Sequence, residues 1–206
     1  MKIALYGPSG MIGKRILDEA LLRGHQVTGV VRDPSKHSEA NPNLFVEKGD
    51  IMDPDGVASI ASGKDVVISA YGPGNGDVRR LLDAARSLVA GHPKRLIVVG
   101  GAGSLEVAPG LQLVDTADFP PAWKDIALTH REAMWIYQGA DFDWTYASPA
   151  AIIEPGKRTG QFRLGTGQLI VDEAGSSKIS AEDFAVAILN EVEHPQFIRQ
   201  RFTVGY

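Results

Sequence analysis

The sequence predicts an α/β fold, a doubly wound parallel sheet with helices on both faces. Three observations point there. Short runs that are apolar almost throughout alternate with longer segments of helical period, and such runs suit strands buried on both faces. Glycine is abundant, 23 of 206 residues, and it clusters directly after the apolar runs. The length and a 44% hydrophobic content fit one large domain over residues 1–206.

Element by element, Lys2 to Tyr6 is a short apolar strand and Gly7 to Gly10 a turn. Met11 to Arg23 places Ile12, Ile16, Leu17, Ala20 and Leu21 on one helical face, and Gly24 stands where a helix takes its left-handed stop. Gln26 to Val31 is the second strand, which completes a βαβ unit and requires parallel pairing with a right-handed crossover. Leu44 to Glu47 reads as a third strand, and Asp53-Pro54 opens a helix with Asp at the N-cap and Pro at the first position. Asp65 to Ala70 is a fourth strand, Val78 to Val89 a helix, and Arg95 to Val99 a fifth strand. Trp123 to Tyr137 follows as a helix and Asp143 to Ala147 as a sixth strand. Residues 149–179 read as loops and short strands. Ser180-Ala181-Glu182-Asp183 opens the next helix as a capping-box variant, with Phe184, Ile188, Leu189 and Val192 on its buried face. Arg201 to Val204 is expected as a final edge strand, and residues 149–206 as a small substrate lobe on the sheet.

Composition removes several classes of function. With 21 basic and 25 acidic residues the net charge is −4, so the basic excess of a nucleic-acid binder is missing. Arg199-Gln200-Arg201 is too short for a nucleic-acid patch. The chain has no cysteine, which excludes disulfides, thiolate catalysis and cysteine-based zinc sites. Histidines 25, 37, 92, 130 and 194 lack metal-ligand spacing, so no metal is expected. The longest apolar runs fall far short of the roughly 20 residues of a membrane span, and the N-terminal run turns into glycine before any signal-peptide core. A cytoplasmic protein with no membrane or nucleic-acid partner is the expectation, with monomer and homodimer both open.

The turn Gly7-Pro8-Ser9-Gly10-Met11-Ile12-Gly13 has the spacing G-x-x-G-x-x-G between a strand and a helix. The first glycine permits the tight turn, the second lets a pyrophosphate approach the backbone, and the third lets helix and sheet pack closely. The N–H groups and dipole of the helix start then attract the anion, which makes Gly7, Ser9, Gly10, Met11, Ile12 and Gly13 the dinucleotide loop. Arg32 directly follows the second strand, where a 2′-phosphate would lie, and favours NADP, with NAD as the other option. Asp33 either faces the ribose or begins an Asp-Pro turn. Asp50 and Ile51 follow the third strand and are placed to meet adenine, Asp50 being otherwise a turn residue. Ala70, Tyr71 and Gly72 follow the fourth strand and are placed beside the adenosine ribose.

These motifs, with Val99-Gly100-Gly101-Ala102-Gly103-Ser104-Leu105, resemble the atypical short-chain dehydrogenase/reductases. Asp143-Trp144-Thr145 with Ser148-Pro149-Ala150 resembles the NmrA-like NAD(P)-binding group. Gly156-Lys157-Arg158-Thr159-Gly160, Ile179 to Ala185 and Arg201 to Val204 are similar to bacterial NADH-flavin reductase-like proteins within it. The resemblance spans the chain and implies an NAD(P)-binding Rossmann fold. It places Ser104 at the family's serine and His130 near the usual Tyr/Lys pair, and sets Ser148 and Pro149 beside the nicotinamide. One departure stands out. The tyrosines at 6, 71, 137 and 146 are followed four positions on by Gly10, Asn75, Asp141 and Ala150, and Tyr206 is last, so no Tyr-x-x-x-Lys pair exists.

Without that pair, carbonyl reduction and epimerase/dehydratase-like chemistry lack an acid/base partner. Hydride transfer to a flavin or quinone-like acceptor survives, because the acceptor carries most of the chemistry. Ser104 and His130 are the candidate catalytic residues, His130 for an imidazole pKa suited to proton donation near neutrality. Arg131 is a candidate ribose or phosphate contact. Phe119 to Trp123 could form an aromatic lid. Lys157, Arg158 and Arg163 could receive an anionic substrate, a solvated basic loop being the plainer reading. A non-catalytic NAD(P)-binding redox sensor is the competing function.

Overall fold

The computed structural model describes residues 1–36, 41–74 and 76–206, so His37 lies outside the described residues. The chain runs β1 (Lys2–Tyr6), α1 (Met11–Leu22), β2 (Gln26–Val31), β3 (Leu44–Lys48), α2 (Pro54–Ala61), β4 (Val66–Ser69), α3 (Arg80–Ala90) and β5 (Arg95–Val99). It continues through β6 (Glu106–Ala108), β7 (Leu111–Gln112), α4 (Pro121–Gln138), β8 (Asp143–Ser148), β9 (Ile152–Glu154), β10 (Arg163–Gly165), β11 (Lys178–Ser180), α5 (Ala181–Glu193) and β12 (Gln200–Gly205). Eight strands form the central sheet in the order β10-β12-β8-β5-β4-β1-β2-β3. All its pairs are parallel except β10 against β12. This is a Rossmann-like sheet.

Strand periodicity divides the core into two layers. Ile3 and Leu5 of β1 point to the layer that also holds Ile16, Leu17, Phe184, Ile188 and Phe202. Ala4 and Tyr6 point to the other, with Leu82, Leu88, Met134, Trp144 and Tyr146. Helices α1 and α5 therefore cover one face and α2, α3 and α4 the other. Helix α1 ends in a Schellman turn: Gly24 has φ +78°, its N–H bonds Leu21 O at 3.0 Å, and the His25 N–H bonds Ala20 O at 3.0 Å.

Several boundaries differ from expectation for identifiable reasons. Residues 78 and 79 belong to a tight turn that precedes α3, where the Arg79 N–H is held by Asp77 Oδ1 at 2.9 Å. Asp53 sits at the N-cap of α2, yet its side chain makes no cap hydrogen bond. Half of the expected capping box forms at α5: Ser180 Oγ accepts from the Asp183 N–H at 3.0 Å, while the Ser180 N–H turns to the Tyr206 hydroxyl. Most importantly, β12 is not an edge strand. It lies between β8 and β10, and Phe202, Thr203 and Val204 are fully buried. The chain first lays β10 outside and then returns to fill the gap.

Helix α5 buries more than its apolar stripe because α1, the sheet and the 155–163 segment surround it. Its buried polar groups each have a task. Glu191 accepts from Arg95 Nη2 at 2.6 Å, and Arg95 Nη2 also donates to Thr145 Oγ1 at 2.7 Å. Glu191 further accepts from the Gln196 and Phe197 N–H groups ahead of β12. Glu19 of α1 receives Arg158 at 2.7 and 2.8 Å and Arg23 at 2.8 Å.

Asp183, fully buried, accepts from the Thr159 and Gly160 N–H groups and from the hydroxyls of Thr159 and Tyr206, all at 2.6 to 2.8 Å. Burial alone would raise its carboxyl pKa, but these four donors outweigh it and hold the group below the ordinary aspartate value. The unfolded chain then binds the proton first, so this contribution is present above about pH 3.9 and is lost as pH falls through the depressed folded value. Asp183→Asn should cost about 3 kcal/mol at pH 7 and flatten the stability loss below about pH 4, on the order expected for charged hydrogen bonds. Urea unfolding at several pH values checks both.

Candidate functional site

Strands leave β1 in opposite directions, β2 and β3 to one side and β4, β5 and β8 to the other. That reversal opens a crevice at the carboxyl ends of β1 and β4, where open α/β sheets bind ligands. A cavity of about 620 Å³ occupies it. Its depth depends on glycine. Gly7 has φ +76°, and a Cβ there would lie 2.6 Å from Ala70 O; a Cβ on Gly13 would lie 1.9 Å from Gly7 O. The two positions let α1 begin directly behind the β1 turn. Gly10 is the N-cap of α1, with no side-chain cap and no acid in the first turn. The N–H groups of Met11, Ile12 and Gly13 are thus left for an anion.

The structure brings Gly7, Ser9, Gly10, Arg32, Asp50, Ile51, Ala70, Tyr71 and Gly72 together around this cavity. Met11, Ile12 and Gly13 stand behind the loop. Arg32 is exposed at the end of β2, and among the described residues it has no ion pair. Asp33 Oδ1 accepts from the N–H and hydroxyl of Ser35 at 3.2 and 2.6 Å, which is the turn role. Asp50 Oδ1 accepts from the Met52 N–H at 3.0 Å, so one carboxylate oxygen holds its own loop and the other remains for a ligand.

Two polar side chains of the lining lie outside the sequence expectation, Arg80 and Tyr6. Arg80, the first residue of α3, adds a second guanidinium to the wall. The pair Arg79-Arg80 after the glycine-rich Gly72–Gly76 stretch was the available signal, since the loop after β4 leads into the crevice. Burial raises the Tyr71 phenol pKa, and the charges of Arg80 and Arg32 pull against that rise, so both cations bear on one side chain. Tyr6 is the other. It is buried, its hydroxyl has no hydrogen-bond partner, and burial reinforced by Glu47, Asp53 and Asp50 pushes its pKa up.

Ser104, His130, Ser148 and Pro149 do not line this cavity. Ser104 is buried, and both its Oγ and its carbonyl accept from Arg201 Nη1 at 3.0 Å. His130 Nδ1 lies 3.2 Å from the Tyr146 hydroxyl, which itself donates to His130 O at 3.0 Å. A phenol has one hydrogen, so Nδ1 must be the donor and Nε2 carries the lone pair. Burial lowers the His130 pKa to about 4, which corrects the expected titration near neutrality: the ring is neutral at pH 7. Tyr146 supports the glycine segment after β5, since a Cβ on Gly100 would lie 2.0 Å from its ring. Ser148 and Pro149 sit at the end of β8, three strands from β1, or roughly 14 Å at the usual strand spacing.

Three of the other basic candidates have protein partners. Arg131 donates to Gln112 and Asp115 at 3.0 and 2.9 Å, Arg158 is paired with Glu19, and Arg163 donates to the carbonyls of Val171 and Tyr206. Trp123 is exposed in the first turn of α4. Among the described residues no helix is long and apolar enough to cross a membrane.

The arrangement suits a dinucleotide: backbone donors for a pyrophosphate, a polar recess after β3 and β4 for adenosine, and guanidiniums for a further phosphate. Comparison with known proteins agrees. Protein YwnB of Bacillus subtilis (strain 168), itself uncharacterized, is 40% identical over 99% of this chain and 98% of its own length. A crystal structure from Burkholderia pseudomallei, described as a candidate exported protein, superposes with a TM-score of 0.92 at 51% identity, covering 100% of both chains. One from Streptococcus pneumoniae TIGR4, described as a candidate NADH-flavin reductase, gives 0.87 at 31% identity over 100% of this chain and 99% of the other. The NAD(P)H-binding family model matches residues 7–195. The chain belongs to the NAD(P)H-binding family.

Proposed function

We propose that the protein is an NADPH-dependent reductase that passes a hydride to a flavin or quinone-like acceptor. The observation that carries this reading is the cavity at the β1/β4 crevice, bordered by Gly10, the uncapped start of α1, and by two guanidiniums, Arg32 and Arg80. The nicotinamide supplies the hydride when bound. The chain's own residues bind and orient. The α1 start holds the pyrophosphate, Asp50 and Ile51 meet the adenine, and Arg32 with Arg80 selects the 2′-phosphate. Tyr71 and Gly72 flank the ribose, while Ser148 and Pro149 border the far end. The Streptococcus neighbour's description favours a flavin as acceptor.

His130, neutral and with its Nδ1–H held by Tyr146, serves in this reading as a fixed wall beneath Gly101, not as an acid. Flavin reduction tolerates that, because the proton can come from water. The reading includes a cytoplasmic location, where NADPH is supplied, and a substrate lobe over residues 149–206. The competing reading is an NAD(P)-binding sensor without chemistry. Its support is that Ser104 is engaged by Arg201 and that the phenols lining the cavity, Tyr6 and Tyr71, both have raised pKa values.

Gly10→Val tests the loop. Gly10 has φ −71°, and a Cβ there would lie 3.5 Å from Gly7 O, so the backbone tolerates a side chain while the branch covers the α1 donors. The variant should fold normally and lose at least about tenfold in NADPH affinity by calorimetry, as loss of a charge-assisted contact predicts. Arg32→Ala should weaken NADPH by about tenfold to a hundredfold and NADH little; equal losses would remove the 2′-phosphate role. NADPH oxidation with FMN, FAD, riboflavin and a quinone in parallel separates the two functions. Saturable acceptor-dependent turnover establishes the reductase, and tight cofactor binding with no turnover moves the protein to the sensor class.

A further inference from the structure

A second cavity, of about 490 Å³, shares no lining residue with the first. It lies on the α4 face of the sheet, between the end of α4 and strands β8 and β12. Register explains what it presents. Arg201 pairs with Tyr146 across β12 and β8, and the Arg199 N–H bonds Trp144 O at 2.7 Å just before β12 begins. Because strand side chains alternate, Trp144, Tyr146 and Arg201 share one face, and Trp144 and Arg201 are diagonal neighbours within side-chain reach.

The lining is rich in donors. Trp144 is 4% exposed, and its indole Nε1–H is buried without a hydrogen-bond partner. Arg201 spends its guanidinium on neutral acceptors: Nε on Thr166 O, Nη1 on Ser104, and Nη2 on Gly167 O at 3.4 Å. One N–H on Nη2 is left over. Among the described residues none of the ion pairs includes Arg201, and burial works against its charge with Glu106 acting only from a distance. A partly buried cation beside an orphaned N–H is a combination that an anionic oxygen would complete. Arg199 brings a second guanidinium to the rim. Its own backbone has φ +54°, a strained conformation for a residue with a side chain, of the kind that clusters at binding sites.

We infer that this cavity is a second ligand site, for an organic monocarboxylate held by Arg201 and Arg199 beside Trp144, with its apolar body against Met134 and Ala140. A single charge is preferred over a phosphate because the Asp143 carboxylate lies 3.9 Å from the Arg199 guanidinium, which also donates to the backbone carbonyl of Asp141. That carboxylate would repel the second charge of a dianion.

The three tryptophans give three indole N–H signals in a nitrogen-15 correlation spectrum, and Trp144→Phe identifies the one that belongs to Trp144. Titration of the full chain with sodium benzoate, against sodium phosphate at matched ionic strength, should move that signal saturably with benzoate and at least about tenfold more weakly with phosphate. Arg199→Ala, which leaves Trp144 in place, should weaken benzoate binding about fivefold, the size expected of a rim charge. The inference is overturned if the Trp144 signal stays fixed to 20 mM benzoate. It is equally overturned if that signal drifts linearly alongside those of the exposed Trp123 and Trp135, if phosphate binds as well as benzoate, or if Arg199→Ala changes nothing.

Discussion

The close approach of α1 to the β1 turn governs the rest of the molecule. Gly7, Gly13 and the Ala70 carbonyl meet at distances that no side chain could occupy. Because they do, the helix starts at the crevice itself, with its N-cap Gly10 on the cavity wall. A Cβ at either glycine would push α1 outward, uncouple it from α5, and disturb the ion pairs through which Glu19 gathers Arg23 and Arg158. One steric constraint therefore sets both the anion-binding end and the attachment of the C-terminal segment.

The sheet was readable in the sequence because its strands are buried on both faces. Val66–Ser69 and Arg95–Val99 are buried throughout, and an uninterrupted apolar run is how such strands are written. The glycine loop was readable for the same kind of reason, since three spaced glycines between a strand and a helix have few other uses. What composition and period leave open depends on pairing between distant segments. The position of β12 follows from which strand fills the gap beside β8, and composition is silent on that. The short hairpin β6–β7 carries no period long enough to detect.

The same distinction separates the site residues. Backbone-defined positions such as Gly10, Ala70 and Gly72 fall at the crevice because strand ends put them there. Side chains judged by their chemistry alone fared differently. Ser104 faces Arg201, ninety-seven positions away in sequence, and His130 is tied to Tyr146 in surroundings that lower its pKa. A titration range is a property of surroundings, and the surroundings of a helix residue are set by whatever strand lies beneath it. Arg80 shows the converse: an unremarked charge at a helix start acquires significance from the loop that delivers it.

The late insertion of β12 has a consequence for the nascent chain. Until residues 200–205 emerge from the ribosome, β8 is the open edge of a parallel sheet. Its backbone donors and acceptors are then unpaired, and Trp144, Tyr146 and Ala147 stand beside them. About fifty residues separate the two strands, which at ordinary elongation rates leaves that edge open for roughly 3–10 s. An unpaired strand of this kind is a template for intermolecular pairing. The helix that arrives in the interval, α5, covers the α1 face of β8 but not its edge, so protection of the growing polypeptide against aggregation rests on β12.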